Sequence, residues 1–210
     1  MIPRFPVYLF DVDGTLVDSA PDICAAVQSV LHSRGRVDVP DAVLKTYIGK
    51  HLDETWRDLG FAQSEWGPML VDYRQIYTGR GHTLTRLYDG VLEGLAALNG
   101  VRKSTATTKG TPTTRIVLEM FGILGYFDHV QGTDGFPAKP SPDVIVKSIE
   151  LFGVDPGDVL MVGDAESDMA AGRAAGVKTC AVRYGYGRVE DLAKWEPDYW
   201  IDDLRELAAK

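Results

Sequence analysis

A chain of 210 residues, 45% hydrophobic and 25% charged, can bury one sizeable core plus a smaller second unit, and this composition excludes a disordered or fibrous protein. The net charge of -8 at pH 7 argues against a nucleic-acid partner, yet leaves open a small anionic ligand, which responds to the local field of a cleft. No window approaches the roughly 18 apolar residues of a membrane span; the two cysteines, Cys24 and Cys180, read as free thiols, and the start Met1-Ile2-Pro3-Arg4 shows no leader, so a cytoplasmic setting is expected.

In chain order, Val7 to Phe10 is an apolar run too short for a helix and right for a buried strand, and it delivers Asp11-Val12-Asp13-Gly14-Thr15 at its end. Pro21 to Arg34 reads as a helix with Ser19 as N-cap and Gly35 as stop. Further helices are predicted at Asp41 to Ile48, Leu52 to Leu59 and Ser64 to Tyr77, with no strand between Asp18 and about Arg86. The pattern then alternates: helix around Gly94 to Leu98, strand Val101 to Thr107, helix Thr113 to Phe121, strand Phe127 to Gln131 and helix Pro142 to Phe152. Strand Val159 to Val162, helix Ala165 to Ala175, strand Lys178 to Val182, a short strand Tyr199 to Ile201 and a closing helix complete it. Strands alternating with helices imply an α/β fold with a mainly parallel sheet and right-handed crossovers. Val101 to Thr107 fits this least, being too polar for a strand buried on both faces.

Parallel strands deliver their ends to one edge, where ligands of open α/β sheets bind. Four strand ends carry suggestive groups: Asp11 and Asp13; Thr107, Thr108, Lys109 and Gly110; Lys139 in a Pro-rich loop; and Asp164 with Asp168. Singly, each has a plain structural explanation, since Asp-x-Asp-Gly makes turns and an Asp at a helix start caps it. Capping does not explain why acids recur at two strand ends of one sheet. Four carboxylates at one edge require cations to stay ionised, and an oxygen-only set without His or Cys suits Mg2+.

In this order the sequence resembles the haloacid dehalogenase superfamily: DVDGT looks like its first motif, Thr107 its second, Lys139 its third and GDAESD its fourth. LVDS, TKGTP, KPSPD and AGRAAG are similar to the phosphoglycolate phosphatase-like branch, although Tyr88-Asp89-Gly90-Val91 departs from that branch's Tyr-Pro-Gly-Val. The resemblance implies a Rossmann-like three-layer core (1–16 and 87–210) and a small all-helical cap (17–86) inserted after strand 1. It implies a phosphatase for a small phosphorylated metabolite, with Asp11 as nucleophile, Asp13 as general acid and base, and Thr107 and Lys139 stabilising the phosphoryl group. Gly14 and Thr108 would join the phosphate site, and Mg2+ would be held by Asp11, the Asp13 backbone carbonyl and Asp164, supported by Asp168. Lys50 and Arg86, with Gly49, His51 and Arg80 near them, are expected to read the substrate from the cap. An acid at Asp13 argues against carbon–halogen chemistry. Open alternatives are a sugar phosphomutase, a pyrophosphatase or nucleotidase of the same superfamily and, more remotely, a receiver-like phosphoacceptor module. Monomer and homodimer are equally compatible.

Overall fold

The structure, a computed structural model, describes residues 2–208; residue 1 and residues 209 and 210 of the expected core lie outside the described residues. The chain opens with β1 (Val7–Phe10) and β2 (Val17–Asp18), then runs through α1 (Ala20–Ser33), α2 (Asp41–Lys45), α3 (Leu52–Asp58) and α4 (Gln63–Gly79). β3 (Arg86–Leu87), α5 (Val91–Ala97), β4 (Arg102–Thr105), α6 (Thr111–Met120) and α7 (Asp143–Phe152) follow. β5 (Val159–Gly163), α8 (Glu166–Ala175), β6 (Lys178–Val182), α9 (Val189–Leu192) and β7 (Tyr199–Ile201) complete the elements.

Five strands form a parallel sheet in the order β4-β1-β5-β6-β7. β1 and β5 are buried along their whole length, and alternate residues feed two separate cores. Tyr8, Phe10, Leu160 and Val162 pack on one face with Val91 and Leu95 of α5 and Val117 and Leu118 of α6. Val7, Leu9, Val159 and Met161 pack on the other with Val144 and Ile145 of α7 and Ala171 of α8. Helices on both faces make the three-layer α/β arrangement that the alternation predicts.

The expected strand Phe127 to Gln131 is reduced to one isolated bridge between Ser104 and His129. Side chains share its ladder with backbone bonds from the Asp128 and His129 N–H groups to the Lys103 carbonyl. The Asp128 carboxylate accepts from the Lys103 N–H, and the Thr105 hydroxyl both donates to the Gln131 carbonyl and accepts from its N–H. β4 is an edge strand, and its polar side chains turn to nearby carbonyls: Arg102 to Phe152, Lys103 to Leu98 and Val101, and Thr105 to Gln131. Three further elements differ from expectation. The Asp41 to Ile48 helix stops at Lys45, the closing helix is a 3-10 turn at Leu204–Ala208, and α9 carries no apolar period long enough to read. Among the described residues, no helix is long and apolar enough to cross a membrane.

Between β2 and β3 lie α1 to α4, which close around their own core of Cys24, Val27, Leu31, Leu44, Trp56 and Met69. β2 and β3 pair antiparallel, Val17 with Leu87 and Asp18 with Arg86, although the sequence reading placed no strand there. Behind this ribbon the buried Asp22 accepts from Arg80 Nε at 3.1 Å, from the Leu84 and Thr85 N–H groups, and from the Thr85 hydroxyl. Replacing Asp22 with Ala strands those donors at once. We expect a loss of about 3 kcal/mol in denaturant unfolding; a change below about 0.5 kcal/mol would show that water replaces the carboxylate.

Candidate active site

β4, β1 and β5 are neighbours and parallel, so their carboxyl ends bring Thr107, Asp11 and Asp164 to one edge. The chain winds to one side of β1 with β4 and to the other with β5, which makes this edge a topological switch point. Asp11 continues the β1 ladder, its N–H donating to the Val162 carbonyl at 2.9 Å, and its carboxylate is buried. Gly14 turns the chain at φ 93°, and a Cβ there would overlap the Asp164 carboxylate, so both conformation and space demand glycine.

Asp11, Asp164 and Asp168 offer carboxylate oxygens that all lie within 4.8 Å of one another, and all three side chains are buried. Lys139 Nζ lies among them, donating to Asp11 Oδ1 at 2.9 Å, Asp168 Oδ1 at 2.5 Å and the Ala106 carbonyl at 2.8 Å. Asp168 also closes the start of α8, its Oδ2 accepting from the Ala165 N–H. Asp164 is held by the Thr15 hydroxyl at 3.1 Å and the Tyr186 N–H at 2.8 Å. One ammonium thus pairs with two of three buried carboxylates. Burial, with the Asp168 and Asp13 charges added and Lys139 opposing, pushes the Asp11 carboxyl up to about 6. Burial, then the charges of Asp11 and Asp168, raises Asp164 well above the usual carboxylate range. Burial alone would lower Lys139, but Asp11 and Asp168 overcome it and hold the ammonium protonated. Such an excess of buried negative charge, presented only through oxygen, fits a hard divalent cation.

Asp13 stands outside this trio and is half-buried. Ser19 Oγ donates to its Oδ1 at 2.5 Å, while Lys109 Nζ pairs with its Oδ2 at 3.1 Å. Ser19 occupies the predicted N-cap position of α1 without capping it. Instead the Tyr186 hydroxyl accepts from the N–H groups of Ser19 and Ala20 and donates to Asp18.

A cavity of about 150 Å³ opens beside Asp11 and Asp13, lined from the sheet side by Thr107, Thr108 and Lys109 and from the helical unit by Lys50, Tyr73 and Tyr77. Thr107 Oγ1 accepts from the Lys109 N–H at 3.3 Å. The hydroxyls of Thr108 and of Ser167 at the start of α8 both donate to the Gly49 carbonyl at 3.3 Å, seating the α2–α3 loop on the sheet edge. Not every expected group reaches this space. Lys139 does not line the cavity, its Nζ being occupied by the carboxylates and the Ala106 carbonyl. Arg86, expected at the substrate, spends Nη1 on the Thr83 and Thr85 carbonyls away from the cavity, and Arg80 is engaged with Asp22. Lys50 and His51 do line it. Lys109, Tyr77 and Tyr186 went unassigned in the sequence reading. Lys109 lies two residues after Thr107 inside a stretch already singled out, and Tyr186 sits in Tyr184-Gly185-Tyr186-Gly187, just past the end of β6.

Comparison with known proteins agrees with this geometry. The family described as haloacid dehalogenase-like hydrolase matches residues 8–182. The chain is 34% identical to "Phosphoglycolate phosphatase 1" of Pseudomonas aeruginosa, over 98% of this chain and 79% of that protein. It is 36% identical to "Tyrosine-protein kinase PtkA" of Mycobacterium tuberculosis, over 94% of this chain and 70% of that one. A crystal structure of a predicted phosphatase from Clostridium acetobutylicum superimposes with a TM-score of 0.91 at 27% identity, over 98% of this chain and 97% of that one. With the motif residues gathered at one sheet edge and the family match spanning most of the sequence, the chain belongs to the haloacid dehalogenase-like hydrolases.

Proposed function

We propose that the chain is a Mg2+-dependent phosphatase that hydrolyses a small phosphomonoester of the phosphoglycolate type through an aspartyl-phosphate. The observation that carries this reading is Asp11: a buried carboxylate at the end of a central strand, beside a cavity, with Lys139 on one side and Asp13 two residues on. The printed names of the phosphatase relatives support the substrate type. A cavity of about 150 Å³ supports a small leaving group, since it falls well below the ~300–1,000 Å³ typical of drug-sized ligands.

In the first step an Asp11 oxygen attacks phosphorus, the bond from phosphorus to the leaving oxygen breaks, and Asp13 delivers a proton to that oxygen. In the second, water attacks the phosphorus of the acyl phosphate, Asp13 takes a proton from that water, and the bond from phosphorus to Asp11 breaks. Asp11 and free phosphate are restored. Lys139 holds Asp11 in a fixed orientation, and the Thr107 hydroxyl, whose oxygen accepts from the Lys109 N–H, is free to donate to the phosphoryl oxygens. Asp11, Asp164 and Asp168, with the Asp13 carbonyl, would hold the Mg2+, which offsets the charge shared by nucleophile and phosphate. The helical unit, residues 17–86, acts as a cap that excludes water and selects the leaving group.

Phosphate release is to be measured on 2-phosphoglycolate beside glycerol phosphates, sugar phosphates and nucleoside monophosphates, with Mg2+ and with EDTA. We expect 2-phosphoglycolate or a similarly small ester to lead and EDTA to abolish turnover. An isomerised sugar phosphate without free phosphate would replace this reading with a mutase, and full activity in EDTA would remove the metal from it.

A further inference from the structure

Two lysines divide the two site aspartates of the β1 end between them. Lys139 pairs with Asp11, whereas Lys109 pairs with Asp13 and, unlike Lys139, also lines the cavity. Lys109 comes from the loop between β4 and α6, and only 9% of its side chain is exposed. Its ammonium donates to the Tyr77 hydroxyl at 2.9 Å and lies 4.4 Å from the centre of that ring. Tyr77 belongs to α4. It is 3% exposed, stacked on Tyr73 at 5.5 Å and met edge-on by the buried His82 ring at 4.8 Å. Lys109 is therefore a sheet-side cation whose second partner is supplied by the helical unit, and neither contact alone would fix so long a side chain.

We propose that Lys109 is a positioning residue for leaving-group protonation: seated by Tyr77, its ammonium fixes the Asp13 carboxylate, so the proton-donating half of the site is complete only when the helical unit is docked. This rests on the reading of Asp13 as general acid. Asp13 lies beyond the end of β1 on a glycine turn, where an isolated bridge to Val17 takes the place of a ladder. Ser19 Oγ on Oδ1 and Lys109 on Oδ2 give it two fixed points. A misplacement of about 1 Å in such a group costs about 10²-fold in rate. The nucleophilic half needs no such help, because Asp11 is fixed by the β1–β5 ladder and Lys139.

Phosphoryl attack and leaving-group protonation are separated by the choice of ester. An alkyl phosphate must be protonated as it departs, while p-nitrophenyl phosphate releases a stable anion unaided. Because Asp13 also acts as base on the aspartyl-phosphate common to both, the readout is the pre-steady-state rate of alcohol release, before that intermediate is hydrolysed, and its half-saturating substrate concentration, for both esters with Mg2+ in the wild type, Tyr77→Phe, Lys109→Met and Lys109→Arg. Tyr77→Phe is expected to lower this release rate on 2-phosphoglycolate about 10-fold and Lys109→Met about 10²-fold, with less than about 3-fold change on the aryl ester. Lys109→Arg should recover most of the alkyl rate. An equal fall in the release rate on both esters, or a rise in the half-saturating concentration alone, overturns the proposal and makes Lys109 a general structural or substrate-binding group. Tyr77→Phe keeps the buried ring, so it decides the matter even if Lys109→Met misfolds. A wild type that turns over neither ester fails the phosphatase reading itself, and the role of Lys109 falls with it.

Discussion

Asp11→Asn is expected to lower phosphatase turnover by about four orders of magnitude or more, because on the proposed mechanism it removes the atom that attacks phosphorus rather than one that assists. The fold should survive. Asn is isosteric, the backbone N–H to Val162 is untouched, and Lys139 keeps Asp168 and the Ala106 carbonyl as partners. Acid-quenched reactions with phosphorus-labelled substrate provide the second readout: the wild type should carry label on protein, the variant none. Residual turnover above about 1% of wild type in a variant of unchanged melting temperature would rule out attack by Asp11 and favour direct attack by water.

Asp164→Asn is expected to separate stability from function. Asp164 accepts from the Thr15 hydroxyl and the Tyr186 N–H, and an Asn keeps both contacts, its oxygen facing Tyr186 and its amide donating to the Thr15 oxygen. What it loses is a charge that burial and the Asp11 and Asp168 carboxylates disfavour. The metal-free variant should therefore melt a few degrees above the metal-free wild type, while Mg2+-dependent turnover falls by about two orders of magnitude or more. A pH dependence accompanies it. Asp11 and Asp164 keep protons in the fold at pH values where the unfolded chain has released them, since Asp11 stands at about 6 against an ordinary 3.8 and Asp164 is also raised. The contribution of Asp11 to metal-free stability is thus full below about pH 3.8 and is lost as pH rises through about 6, Asp164 acts in the same direction, and Mg2+ should raise the melting temperature more at pH 8 than at pH 5. A metal-free Asp164→Asn that melts below wild type while Mg2+ still stabilises it equally would refute the ligand assignment.

Most of the sheet and the gathered acids were legible because they depend on local signals. Apolar runs such as Val159 to Val162 admit few alternatives, and glycines mark the ends of α7 and α8 with left-handed caps at Gly153 and Gly176. The failures that bear on the site were of partnership. Phe127 to Gln131 has strand composition, but whether it pairs by backbone or through Asp128 and Thr105 depends on residues more than twenty positions away. Lys109 and Arg86 look alike in sequence, each a cation in a loop beside threonines. Only packing reveals that Tyr77 and Asp13 flank the first, while the second turns to its own backbone. β2 and β3 are each two residues long and their pairing spans nearly seventy positions, so no periodicity announces them.

That small ribbon restricts how the molecule can work. The chain passes between sheet and helical unit twice, and where it passes the two crossings are bonded side by side, Val17 to Leu87 and Asp18 to Arg86. A pair of independent tethers would permit twisting and sliding in every direction. Two tethers laced together behave like a strip of tape, which bends readily across its face and resists shear and torsion. On the proposed reading of the helical unit as a cap, admission of substrate and escape of phosphate would therefore share one hinge-like coordinate, and each return along it would bring Gly49 back to Thr108 and Ser167 in the same alignment.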